Sequence, residues 1–191
     1  MQDLSLTTFR FPKETCVQQA QPKISTNVSL DSSALDVMTD LALVKAETIE
    51  PKTSLGAAEK LMINRGVRSL FVTADFPCVE GLVTAADLLG NRPMQVLNRS
   101  QVKHQDLCVE DVMTPLSDLD VLDYDELKDS CVDRVVATFE KLKCTHLLVV
   151  QRARAEGPAR IRGVVSVTQL ERQLAKSILT AHMVPEPVSY A

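Results

Sequence analysis

The feature that most constrains this chain is an internal repeat: Asp36-Val37-Met38-Thr39 recurs as Asp111-Val112-Met113-Thr114, and Gly81-Leu82-Val83-Thr84 is answered by Gly163-Val164-Val165-Ser166. Two anchors in the same order, twice over, mean that one supersecondary unit is copied and that the copies complete each other's burial. The offset is larger at the second anchor than at the first, which locates insertions in the second copy. Each copy is roughly 55 residues, and a domain of ~60 residues buries only about 60% of its unfolded surface, so the two units must pack together.

Between the anchors both copies run through the same elements. Thr53 can cap a helix whose Leu55, Ala58, Leu61 and Met62 share a face and which Gly66 terminates; the strand Arg68–Val72 follows. In the second copy Ser130 and Asp133 form an S-x-x-D start, Val132, Val135, Phe139 and Leu142 make the stripe, and His146–Val150 is the strand. Each copy then passes through a hairpin into the glycine-containing strand and a second helix, with Leu88 and Leu89 in one and Leu170, Leu174 and Ile178 in the other. The fold class is α/β with an α+β-like arrangement, a β-α-β-β-α unit repeated twice. The organisation expected is an extended arm over 1–33, a first repeat over 34–91, a helical linker over 92–108 around Pro93–Leu97, a second repeat over 109–180 and a tail over 181–191.

Composition excludes several function classes. Lys plus Arg is 21 against 25 Asp plus Glu, a net charge of −4, so no overall positive field collects nucleic acid or anionic lipid. No apolar run approaches the ~20 residues of a membrane span, and no basic-then-apolar leader opens the chain, so a cytoplasmic location without a membrane partner is expected. Cys16, Cys78, Cys108, Cys131 and Cys144 are odd in number and never form CxxC; they read as reduced thiols, with Cys131 and Cys144 buried. His104, His146 and His182 lack metal-ligand spacing, and no nucleophile elbow, phosphate-binding lysine loop or Cys–His arrangement is present, so neither a metal nor an enzyme is expected.

Candidate chemistry gathers where a strand meets a helix, at Thr84-Ala85-Ala86-Asp87 and again at Ser166-Val167-Thr168-Gln169. Free N–H groups there attract anions, a threonine hydroxyl adds a phosphate hydrogen bond, and an Asp one turn in can accept both hydroxyls of a ribose. Gln169 makes a weaker, neutral contact than a carboxylate. The same residues also read as capping boxes that need no ligand.

Two D-V-M-T segments, each followed by β-α-β-β-α and G-h-x-[ST]-x-x-[DN], make residues 34 to 180 resemble the cystathionine β-synthase (CBS) domain pair, or Bateman module, in a stand-alone, bacterial-type form. The resemblance implies two repeats about a pseudo-twofold axis, packed through their sheets, with two clefts between them, and a homodimer, commonly a flat disc. It implies AMP, ADP, ATP or S-adenosylmethionine as ligand, with no required cofactor. By motif, Thr84 faces phosphate, Asp87 the ribose and Val83 the base or sugar; Ser166 matches in the other cleft, while Gln169 departs from the Asp or Asn of the pattern. Arg68 and His146 stand where some members place a basic residue that reaches phosphate, although a packed or surface role also suits His146. The expected function is a nucleotide-sensing regulator acting on a separate, unidentified effector protein. The alternative is a scaffold with degenerate clefts. Apolar helix faces around Leu88 and around Leu170 to Ile178 are the expected dimer surface. The arginine-rich stretch Arg152–Arg162 reads as a solvated hairpin, and the acidic run Asp118, Asp120, Asp123, Asp125, Glu126 as exposed loop.

Overall fold

The computed structural model describes residues 28–99, 106–152 and 159–175. In chain order its elements are a 3₁₀ turn (Ala34–Val37), β1 (Thr39–Asp40), β2 (Thr48–Ile49), α1 (Leu55–Arg65), β3 (Ser69–Val72), β4 (Gly81–Thr84), α2 (Ala85–Leu89) and α3 (Arg92–Arg99). After these come α4 (Val109–Val112), β5 (Thr114–Pro115), another 3₁₀ turn (Leu116–Asp118), β6 (Val121–Asp123), α5 (Tyr124–Lys128), α6 (Val132–Leu142), β7 (His146–Gln151), β8 (Arg160–Ser166) and α7 (Val167–Leu174).

The two main helices follow the apolar spacing. Leu55, Ala58 and Met62 are buried on α1, and Val132, Val135 and Phe139 occupy the matching positions on α6. Leu142 lies outside that stripe, 38% exposed. Gly66 ends α1 in the left-handed region at φ 67, as expected. Both helix starts differ from expectation by one residue: Ser54, not Thr53, accepts from the Ala57 N–H, and α6 is capped at Cys131 while Ser130 donates to the Glu126 carbonyl. The reason is tertiary. The Thr53 and Ser130 carbonyls are taken by Val109 and Ala34, so the chain turns into each helix one residue later. At that capping position Cys131 is exposed rather than buried, since a cap stands off the apolar stripe; Cys144 is half-buried, and burial pushes its thiol up.

The strands are buried on both faces because they serve two layers. Leu70, Val72 and Val83 point into a core with Leu55, Ala58, Met62 and Leu88. Leu147, Val149 and Val165 point into another with Val132, Val135, Phe139 and Leu170. The alternate residues Phe71, Leu82, Leu148 and Val164 meet one another, so the two sheets pack face to face through side chains one register step from each helical core.

One sheet has the order β2-β3-β4-β5 and the other β1-β8-β7-β6. Each D-V-M-T segment therefore completes the sheet of the opposite repeat. Thr39 pairs with Val164 and Asp40 with Gly163, while Thr114 pairs with Leu82 and Pro115 with Gly81. Their apolar residues cross with them: Val28, Ala34, Val37 and Met38 lie in the core of the second half, and Leu107, Val109 and Val112 in that of the first. The glycines of the second anchor permit this approach. A Cβ on Gly81 would stand 2.5 Å from the Thr114 carbonyl oxygen, and one on Gly163 2.5 Å from the Met38 sulfur.

The acidic run is not simply loop: it forms β6 and α5, with Asp123 accepting from the Asp125 and Glu126 N–H groups and pairing with Arg152 at 3.0 Å. The tip of the arginine-rich hairpin, Ile178, Cys16, the expected arm up to residue 27 and the C-terminal tail lie outside the described residues.

Candidate functional site

β4 delivers Thr84 to the start of α2 with extended backbone, and the three-residue spacing to Asp87 closes a reciprocal cap. The Asp87 N–H donates to Thr84 Oγ1 at 3.2 Å; Asp87 Oδ2 accepts from the Thr84 N–H at 2.8 Å and from the Thr84 hydroxyl at 2.7 Å. Asp87 Oδ1 faces Arg92 Nη1 at 3.2 Å. That same nitrogen donates to the Val112 carbonyl at 2.7 Å and to Thr114 Oγ1 at 2.9 Å. The Asp87 carboxylate is thus engaged on both oxygens, and Thr84 is buried.

The second half repeats the arrangement without charge. Ser166 caps α7 by accepting from the Gln169 N–H at 3.3 Å, and Gln169 Oε1 accepts from the Thr39 hydroxyl at 3.1 Å. Thr39 and Thr114 are equivalent members of the two D-V-M-T segments, so each half has its helix start tied to the lead-in threonine of the other repeat.

Arg68 precedes β3 and is exposed; its carbonyl accepts from the Ala85 N–H at 2.8 Å, as the Thr145 carbonyl accepts from Val167 at 3.0 Å. His146 pairs in register with Ser166, and its Nδ1 lies 3.0 Å from the Thr145 hydroxyl. Burial holds the His146 imidazole below the usual histidine range; the Asp87 carboxylate acts in the opposite sense, and the Arg68 guanidinium adds to the depression. Residues of the first half, Arg68 and Asp87, therefore share a field with His146 of the second, across the seam between the sheets. The Val83 side chain is fully buried in the first helical core, which leaves only its main chain near this seam.

A CBS domain family model matches residues 34–92. Among solved structures, an uncharacterized conserved protein of Pyrococcus horikoshii is 23% identical, with 75% of this chain and 92% of that chain covered and a TM-score of 0.52. CBSX2 in complex with AMP is also 23% identical, over 74% of this chain and 94% of that one, at a TM-score of 0.50. Residues 34–92 match a CBS domain, and the described chain has the fold of a CBS pair. At these identities the structural likeness establishes the fold of the pair, while the family match falls on the first repeat. Comparison with curated protein sequences gives no match.

Within this CBS pair, sequence reasoning passed over Arg92, Thr114 and Thr39. The two threonines stand in the D-V-M-T segments themselves, but their partners lie on the opposite repeat, so spacing along one repeat cannot reveal them. Another cluster of metal-capable groups, Cys108, Glu110 and Asp111, sits at the start of α4. Its groups already have partners: Asp111 Oδ2 accepts from the Cys108 N–H at 2.8 Å and lies 3.2 Å from its sulfur, and Glu110 pairs with Lys52. Burial first, then the Asp111 hydrogen bond, pushes the Cys108 thiol up, which keeps it protonated and a poor ligand. No helix among the described residues is long and apolar enough to cross a membrane.

Proposed function

We propose that this CBS pair is a non-catalytic regulatory module that binds an adenosine nucleotide or S-adenosylmethionine at the seam between its halves and passes occupancy to a separate effector protein. The observation that carries the reading is the Thr84–Asp87 pair, a hydroxyl and a carboxylate set where β4 meets α2, in whose electrostatic field, with that of Arg68, His146 of the opposite half lies. A guanidinium and an imidazole supply donors for phosphate, and a carboxylate supplies acceptors for a ribose diol. The AMP complex of CBSX2, a protein of the same fold, is in keeping with that ligand class. Ser166 and Gln169 offer the weaker, neutral counterpart in the second half. A thermal-shift comparison of wild type and Asp87→Ala with AMP, ADP, ATP and S-adenosylmethionine tests this. A ligand at about 100 times its Kd stabilises the native state by about 2.7 kcal/mol, so a saturable rise in Tm is expected in wild type and its loss in the variant. No shift with any of the four compounds overturns the reading.

A second reading, a scaffold whose motifs act only as helix caps, draws on the same network, because both Asp87 oxygens and the Gln169 oxygen already have internal partners. It is the reading that remains if wild type ignores all four compounds.

For the homodimer, Leu88 and Leu170 are buried in their own halves and have no surface to offer. Leu89 on α2 and Met94 on the adjoining α3 are 69% and 57% exposed and take their place as the proposed contact. Light scattering of wild type and Leu89→Asp/Met94→Asp distinguishes the two states: a dimer that dissociates in the double variant is expected, and a wild-type monomer at micromolar concentration rules the contact out.

A further inference from the structure

We propose that Arg92 is a positioning residue that couples the Asp87 site to the docking of β5, the strand through which the chain leaves the first half for the second. One guanidinium nitrogen donates to two acceptors and pairs with a carboxylate, on two separate parts of the fold. Asp87 Oδ1 belongs to α2, whereas the Val112 carbonyl and Thr114 Oγ1 belong to the lead-in segment of the second repeat. Asp87 Oδ2 is fixed by the Thr84 N–H and hydroxyl, which leaves Oδ1 as the oxygen for which a new donor competes with Arg92.

What lies downstream gives the hub its consequence. β5 is two residues long, and its ladder to β4 spans only Gly81–Pro115 and Leu82–Thr114. A strand this short depends on side-chain anchors, and the charged one runs through Arg92. Pro115 is followed at once by Leu116–Asp118 and β6, the first strand of the second half, so a change in the hold on β5 is a change in the joint between halves.

The other lead-in strand is tied to its helix start without charge. Thr39 donates straight to Gln169, and Leu174, eight positions after Ser166 as Arg92 is eight after Thr84, is apolar. That strand is held by a different pair, Asp40 with Arg162 at 2.8 Å, which involves neither Ser166 nor Gln169. Arg92 therefore makes the first joint responsive to Asp87 through a charged link, while the second joint meets its cap through the neutral Thr39–Gln169 hydrogen bond.

Amide hydrogen exchange of the ligand-free full chain tests the coupling directly. Asp87→Ala should accelerate exchange in 109–116 by roughly tenfold, and Arg92→Gln, which also removes the donors to Val112 and Thr114, by at least as much, with the double variant no faster than Arg92→Gln. Thr84→Ala, which removes the cap hydroxyl but keeps Asp87 opposite Arg92, should loosen only 85–88. Arg92→Lys, which retains the charge without the planar fork, should fall between wild type and Arg92→Gln. The segment 34–41 should stay at wild-type rates throughout. Unchanged exchange at 109–116 in Asp87→Ala, equal acceleration in Thr84→Ala, or equal acceleration at 34–41 each overturns the proposal. The step from Asp87 to a nucleotide rests on the function proposed above. Adding AMP to wild type separates the two: AMP that fails to bind removes the nucleotide reading, whereas the ligand-free variants decide the coupling.

Discussion

The two halves share one plan and differ in how each holds the strand supplied by the other repeat. In the first half Thr114 reaches Asp87 through Arg92, and the residue after Thr114 is Pro115, which offers no side chain to pair. In the second half Thr39 reaches Gln169 directly, and the residue after Thr39 is Asp40, which accepts from two Arg162 nitrogens at 2.8 Å while that guanidinium lies 4.8 Å over the Tyr124 ring. Charge thus lies next to the helix cap in one half and away from it in the other. The same backbone arrangement accordingly yields one joint that shares its carboxylate with the candidate ligand site and one joint that does not.

The comparison can be tested by matched substitutions, beginning with the cores. Phe139 and Met62 occupy equivalent positions of α6 and α1 and are both buried. Phe139→Ala should cost about 4 kcal/mol and Met62→Ala about 3 kcal/mol in urea unfolding, since the larger side chain leaves the larger cavity. Equal losses would mean that the two cores relax differently from what their packing implies.

Next come the glycines beneath the exchanged strands. Gly81→Ala should cost about 3 kcal/mol, because its Cβ meets a backbone carbonyl oxygen that cannot move alone. Gly163→Ala should cost about 2 kcal/mol, because its closest neighbour is the flexible Met38 side chain, although the Thr39 carbonyl oxygen at 2.9 Å still resists. The reverse order, measured by thermal unfolding, would break the argument.

The Asp40–Arg162 pair gives the second half a pH dependence. The Arg162 hydrogen bond, against the opposing effect of burial, holds the Asp40 carboxyl below its usual range. A depressed folded-state value means that the stabilisation is fully present above the unfolded value near ~3.9 and is lost as pH falls through the folded one. Asp40→Asn should lower stability by about 2 kcal/mol at neutral pH and by progressively less below about pH 4. A gap between wild type and variant that stays constant from pH 7 to pH 2.5 would contradict this.

The smallest contrast lies at the caps. Asp87→Ala should cost about 1.5 kcal/mol, since it removes a cap and leaves Arg92 without its carboxylate, and Gln169→Ala about 0.5 kcal/mol, since only a neutral hydrogen bond to Thr39 is lost. Equal effects in chemical denaturation would show that charge adds nothing to the first joint.

Much of this was open to reading along the chain. The stripes of α1 and α6 follow from apolar residues at helical spacing, and Gly66 marks its own helix end. The doubling of D-V-M-T and G-h-x-[ST] implied two units packed together. Less legible was where a short polar segment goes. Thr39–Asp40 and Thr114–Pro115 are two-residue strands with no alternation to read, so nothing local says that each joins the opposite repeat. The one-residue displacement of both helix caps and the exposure of Cys131 follow from that exchange.

Sequence alone therefore determined the repeat, the order of elements, the helical stripes and the residue types at each strand-to-helix junction, because those depend on neighbours a few residues apart. Only the tertiary structure decided that the lead-in strands are exchanged, that Arg92 stands between Asp87 and Thr114, and that His146 lies in the field of charges from the other half. These arrangements join residues far apart in the chain, and their geometry is set by how two twisted sheets pack face to face, not by any local pattern.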